Sequence, residues 1–132
     1  MRLKAVFVFC LLAASTLTIS APAQEGHPLS GVWYGDWGPS AAQRNDLTVV
    51  LQWNGKTVTG QMNPGPDMVQ VKVATLDSSK WTVHIESDCQ DKGAAAKFVA
   101  DGKIEDLGLY NRRIVGTASC GTTKGDLKLK RD

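Results

Sequence analysis

The sequence predicts an all-β chain, an eight-stranded antiparallel up-and-down barrel, with an open β-sandwich as the alternative. Three observations carry this reading. From Leu29 onward, apolar residues recur with period two. Clusters of Gly, Pro, Asn, Asp and Ser break the runs at short intervals. No stretch after Leu29 carries the apolar spacing of a helix. A meander of this size can close on itself and so remove its exposed edges.

The elements follow in order. Gly31 to Trp37 reads as the first strand, with Trp33 and Trp37 on one face. Leu47 to Trp53 is the second, and Leu47, Val49, Leu51 and Trp53 share a face. Asn54-Gly55 is a strong hairpin signal. Thr57 to Asn63 is the third strand, with Val58, Gly60 and Met62 together. Pro64 to Asp67 can only be a loop, since proline cannot serve a central ladder. Met68 to Leu76 is the fourth strand, with Val69, Val71 and Val73 inward. After a turn at Asp77 to Lys80, Trp81, Val83 and Ile85 face inward on the fifth, which sends His84 outward. Asp88 to Gly93 reads as a polar loop holding Cys89. The sixth strand runs from about Ala95 to Ile104, with Phe98, Ala100 and Ile104 inward. Arg113 to Ser119 is the seventh, with Ile114, Gly116 and Ala118 together. Gly121 to Gly125 turns the chain, and Asp126 to Arg131 is the eighth, with Leu127 and Leu129 inward. The echo between Val58-Thr59-Gly60 and Ile114-Val115-Gly116 places glycine where a tight barrel bends or its strands approach closely.

Ahead of this domain, Met1 to Lys4 is basic, Ala5 to Ile19 is mainly apolar, and Ser20 to Ala23 is small and ends in A-x-A form. That order predicts a signal peptide over residues 1–23 and one barrel domain over 24–132, secreted or periplasmic. The apolar run is shorter than the roughly 20 residues of a membrane span. The full chain has a net charge of +2. Arg2 and Lys4 leave with the signal and no acidic residue does, so the mature domain is neutral. The basic excess of a nucleic-acid binder is therefore missing, and no membrane association is expected after cleavage.

Cys89 and Cys120 remain after cleavage, and in an oxidising compartment two cysteines in a small domain pair. In a meander, the connections after odd strands lie at one end. Both cysteines fall there, so topology and compartment agree on a Cys89–Cys120 bridge. His27 and His84 lack zinc-ligand spacing, and neither a metal nor another cofactor is expected. Neither a Ser-His-Asp nor a Cys-His arrangement is supported, and there is no phosphate-cradling loop, so an enzyme is not the expected reading.

The same end collects the Gly38 to Asp46 loop, the longest, with the Pro64 to Asp67 and Gly121 to Lys124 connections. Trp37 ends the first strand on the inward face beside Arg44, Asp46 and Asp67. An aromatic wall with a few polar groups suits a small-ligand mouth or a protein-binding hot spot. The alternative is that Trp37 caps the core while Arg44 pairs locally with Asp46. The expectation is a binding protein for a small apolar ligand or a secreted protein partner, with Trp37, Arg44, Asp46 and Asp67 as its site. The other reading is a filled barrel acting as a structural or interaction module, such as an inhibitor of a secreted enzyme. Oligomeric state is left open.

Leu29-Ser30-Gly31-Val32-Trp33-Tyr34 resembles the G-x-W-Y opening of the calycins, the lipocalins and avidins, through Gly31 and Trp33. Trp81-Thr82-Val83 is similar to an avidin strand. The resemblance implies a barrel in which a late basic residue packs across the first-strand tryptophan, and Arg131 has the position for it. It does not extend to biotin contacts: Gly35 and Ile85 stand where avidins place ligand-facing residues, and Ile114 to Ser119 has no tryptophan. The chain from about Leu29 to Arg131 also resembles small exported bacterial proteins with no assigned activity. The stretches that carry this are Gly35 to Ser40, Arg44 to Asp46, and Asn63 to Asp67.

Overall fold

The computed structural model describes residues 27–108 and 111–131. The expected signal peptide and its cleavage after Ala23 lie outside them. The strands are β1 Gly31–Ser40, β2 Gln43–Trp53, β3 Val58–Met62, β4 Val69–Asp77, β5 Thr82–Asp91, β6 Ala94–Glu105, β7 Arg113–Cys120 and β8 Thr123–Arg131. They form a closed antiparallel barrel in sequence order. Closure is made by β1 against β8, from Trp33↔Arg131 to Gly38↔Asp126.

Alternation fills the interior. Trp33, Leu47, Val49, Leu51, Ile85, Phe98, Ile114, Leu127 and Leu129 are all buried, and each lies on the inward parity of its strand. The two echoing glycines sit where strands crowd. A Cβ on Gly60 would come within 2.0 Å of the Val50 carbonyl oxygen, and one on Gly116 within 2.0 Å of that of Asp101. Both positions tolerate only hydrogen.

Several expected boundaries are corrected. Gly38 to Asp46 is not a long loop. β1 continues to Ser40 and β2 starts at Gln43, with an irregularity between Trp37 and Ser40. Asp88 to Gly93 is mostly strand: β5 runs to Asp91 and turns through Lys92 and Gly93, both at positive φ. Two positive-φ residues in a row are the usual hairpin turn. The β7–β8 turn is Gly121 and Thr122, shorter than expected.

Val73 was expected inward, and it is not. Val71 pairs with Ser87, but Val73 pairs with Glu86, so β4 carries a bulge. One extra residue reverses the faces of all that follows. Ala74 is buried and Leu76 packs against the core in its place. The wall is thinnest next to it, because β3 and β4 share only Gln61↔Gln70 and Met62↔Val69.

Trp81 and Trp53 also depart from expectation. Trp81 precedes β5 with φ 56°, a left-handed backbone that points it away from the strand's inward row. It is half-buried, and its carbonyl accepts the Ile104 N–H at 2.9 Å. Trp53 is half-buried at the end of β2 and stacks on His27, with ring centroids 4.6 Å apart.

That stack belongs to a plug at the end opposite the odd-numbered turns. Leu29 is fully buried, and its carbonyl accepts the Trp33 indole N–H at 2.8 Å. Arg112 donates to the carbonyls of Pro28 and Leu107. Arg131 faces Trp33 in register, and its aliphatic stem runs beside Gly31. Register thus puts Arg131 opposite Trp33, while its Nη1 donates to the Ser30 carbonyl at 3.5 Å.

A pH dependence of the plug is expected from His27. His27 Nδ1 accepts the Leu29 N–H at 3.1 Å, which requires that nitrogen to be unprotonated. Burial lowers the His27 pKa below the ordinary 6.5. A lowered folded value means the unfolded chain takes up the proton first. The contribution is therefore complete above about pH 6.5 and drains as pH falls toward the folded value. Wild type is expected to lose more thermal stability between neutral pH and pH about 5.5 than His27→Asn does. Parallel Tm-versus-pH curves for the two proteins would contradict this.

Candidate ligand-binding site

The end formed by the β1–β2, β3–β4, β5–β6 and β7–β8 turns opens into a cup of about 1240 Å³. Trp37, Leu47, Met62, Phe98 and Cys120 line it from below, and all five are buried. Trp37 meets Phe98 edge-on, with centroids 5.8 Å apart. The Cys89–Cys120 disulfide forms part of the wall, with Cα atoms 6.2 Å apart, within the ordinary span of such a bond. It links β5 to β7 over the inward face of β6, where Ala96 and Phe98 oppose the two cysteines. The expected bridge is thus present, although Cys89 sits in a strand and not in a loop.

Polar groups form the rim. Asn45 shares the inward parity of Leu47 and donates to the Trp37 carbonyl at 3.4 Å. Asp91 accepts from the backbone and hydroxyl of Thr122 and from the Thr123 hydroxyl, each at 2.8 Å. Those bonds, with that from the Thr122 backbone foremost, lower its pKa below the usual carboxylate value. The latch ties the β5–β6 turn to the β7–β8 turn and holds the mouth in shape. The β3–β4 connection supplies Asp67 and Met68, both exposed.

All four residues expected at the site border the cup, but in different roles. Trp37 is its floor. Asp67 stands on the rim and has no hydrogen-bond or ion-pair partner among the described residues. Asp46 has the outward parity of β2 and lies opposite Asp36. Arg44 also has outward parity, and its guanidinium is fully engaged. Its Nε and Nη2 donate to Asp36 Oδ1 at 3.1 and 2.6 Å. Nη1 donates to Asp126 Oδ1 at 2.6 Å and to the Gly38 carbonyl at 3.1 Å. Nη2 reaches the Asp126 carbonyl at 3.4 Å. The expected local partner, Asp46, is not among these. Arg44 instead spans β2, β1 and β8 on the outer face, clasping the barrel seam just below the mouth.

Asp126 is 82 positions from Arg44. Only barrel closure brings them together, so no sequence spacing could have named the pair. The Arg44 bond holds the Asp126 carboxyl below its usual pKa, and the two carboxylates raise that of Arg44. Arg44→Ala is expected to lower Tm by several degrees and return the Asp126 pKa toward the ordinary value. Arg44→Lys should restore only part, because an ammonium cannot fork between two carboxylates. Carbon-detected NMR titration of Asp126 with thermal melts checks both. An unchanged Asp126 titration in Arg44→Ala would refute the clasp.

Outside the cup, His84 faces outward as expected. Its Nδ1 lies 2.5 Å from Asp101 Oδ1, and its Nε2 lies 3.7 Å from Glu86 Oε1. Glu86 also pairs with Lys97. The group occupies a shallow outer face.

The fold and the cup together define a closed eight-stranded β-barrel with one plugged and one open end. No protein-family model, curated protein or solved structure matches the chain.

Proposed function

We propose that the chain is an exported binding protein that holds a small, largely apolar ligand in the cup at the open end of a calycin-like barrel. One observation carries the reading. The interior is packed from the plug up to Trp37 and then opens into a cup of about 1240 Å³, with a disulfide in its wall and an aromatic pair as its floor. Ligand pockets usually measure roughly 300–1,000 Å³ and combine an apolar floor with a few polar groups. A barrel of eight strands leaves space for one small ligand at most, and here that space is all at one end. The disulfide is compatible with a secreted or periplasmic location, which the basic–apolar–small N-terminal order also supports.

A second reading rests on the packed lower barrel. A filled, rigid frame with exposed turns suits docking to a secreted protein, including as an enzyme inhibitor. Native mass spectrometry of the protein purified from its own host separates the two. A retained small molecule, displaced in Trp37→Phe or Met68→Ala, supports the cup. A retained protein partner that survives both substitutions overturns it in favour of the docking surface. Trp37→Ala is expected to abolish ligand retention and to cost roughly 3 kcal/mol of stability through the lost floor. Ligand retention by folded Trp37→Ala would contradict the assignment.

A further inference from the structure

We propose that the ligand taken by the cup is an organic cation, an amine carried on a ring or compact apolar body. The proposal rests on the cup being a small-molecule site and names the chemical class that site selects.

The argument starts from which polar groups at the mouth are still free. Among the described residues Arg44 is the one arginine bordering the cup, and its N–H groups point to Asp36, Gly38 and Asp126. It has nothing left to offer an anion. Lys92 sits at the tip of the β5–β6 turn, directly next to Asp91. Asp88 borders the cup but is neutralised by Lys72 at 2.9 Å on the outer side. Three carboxylates bordering the cup have no ion-pair partner among the described residues: Asp46 on the outward face of β2, and Asp67 and Asp91. Asp67 has no partner among the described residues. Asp91 is held ionised by Thr122 and Thr123, whose bonds neutralise none of its charge. The amide of Asn45 spends a donor on the Trp37 carbonyl, leaving its oxygen as an acceptor. The mouth therefore carries more free negative than positive charge, with Lys92 the one unpaired cation bordering it among the described residues.

The floor points the same way. Trp37 and Phe98 meet edge-on, and an indole is the best side-chain surface for a nearby cation. An apolar body filling the cup would also strip water from Asp67. A neutral ligand would leave that carboxylate unpaired at a cost. An anionic one would add repulsion from Asp67 and Asp91, opposed only by Lys92. An ammonium removes both penalties and gains a charge-assisted hydrogen bond.

Three probes with one ring system test this: naphthylmethylamine, naphthylmethanol and naphthylacetate, each titrated into the folded protein at neutral pH and low salt by calorimetry. The amine is expected to bind at least ~10-fold tighter than the alcohol, with the carboxylate weakest. Asp67→Asn should remove most of the amine's advantage while leaving the alcohol's affinity unchanged. Asp67 is exposed and has no partner among the described residues, so this variant is expected to fold as wild type. Lys92→Ala should leave amine binding equal or tighter. Equal affinities, or preference for the carboxylate, would overturn the cation class while leaving the cup standing as an apolar site. An amine preference that Asp67→Asn leaves intact would also overturn it, by placing the cation elsewhere. Failure of all three probes to bind would defeat the cup reading itself, and this proposal with it.

Discussion

Trp33→Ala is expected to be the most damaging single substitution in the domain, costing about 3–5 kcal/mol from the lost side chain alone. Trp33 is fully buried against a fully buried Leu29, at the plugged end where the surrounding strands cannot collapse inward. Truncation also orphans the Leu29 carbonyl that accepts the indole N–H at 2.8 Å. An unmade buried hydrogen bond adds about 1–3 kcal/mol. Small domains hold only roughly 5–15 kcal/mol in total, so the variant should be barely folded. Trp33→Phe separates the two terms: it keeps most of the volume and loses the donor. It should cost clearly less than the alanine variant but remain measurable in denaturant melts. Trp53→Ala and Trp81→Ala should each cost less than Trp33→Ala, because both rings are only half-buried. Equal losses for all three would mean that the end plug does not place Trp33 deepest.

That ordering marks where period-two reading works. β1 and β7, and the middle stretches of β2 and β8, have inward residues that are apolar or glycine, and their neighbours hold register without interruption over most of their length. Their faces follow directly from alternation. β4 defeats the method. Val69, Val71 and Val73 alternate cleanly, and nothing in residue type signals the bulge after Val71. A bulge satisfies the partner strand, so it appears only when Ser87 and Glu86 are opposite. Trp81 fails for a related reason: the turn out of β4 needs a left-handed residue, and the tryptophan happens to occupy that step. The extra length of β5 is hidden by composition. Asp88 to Asp91 looks like loop, yet it pairs residue by residue with Ala94 to Lys97 because the Lys92-Gly93 turn fixes the register.

The mouth was legible through Trp37, whose parity and place at the end of an apolar strand put it inward at that end. Asp67 followed from its proline-bounded loop. Arg44 was found as a rim residue but not in its role. A charged residue's partners across a barrel seam lie in strands joined only by closure, and the sequence carries no local trace of them. Asp91 and Thr122 escaped notice for the same reason, although Asp91 ends β5 just after Cys89 and Thr122 lies in the turn just after Cys120. The bridge itself is the one long-range contact that chemistry made visible in advance, since only cysteines pair in this way.

The second large effect is expected on removing that bridge. Cys89 and Cys120 are 31 residues apart. Closing a loop of that size stabilises by about 3–4 kcal/mol in the chain-entropy treatment. For a domain near 100 residues, this corresponds to a Tm lower by roughly 15–25 °C. The loss should act mainly through the unfolded chain, because β5–β6 and β6–β7 already pair along their whole lengths without it. The barrel should therefore still close in Cys89→Ala/Cys120→Ala, with far-ultraviolet circular dichroism like that of wild type. Thermal melts with and without reductant give the check. Reduced wild type and the double variant should melt together, and the variant should ignore reductant. A wild-type melt that stays in place after alkylation shows the bond opened would contradict the prediction. The same pair of proteins also isolates the bridge's second role. Both sulfurs line the cup, so the double variant keeps the fold but widens the wall beside Phe98. Weaker ligand retention well below its melting temperature would then report the wall and not the stability.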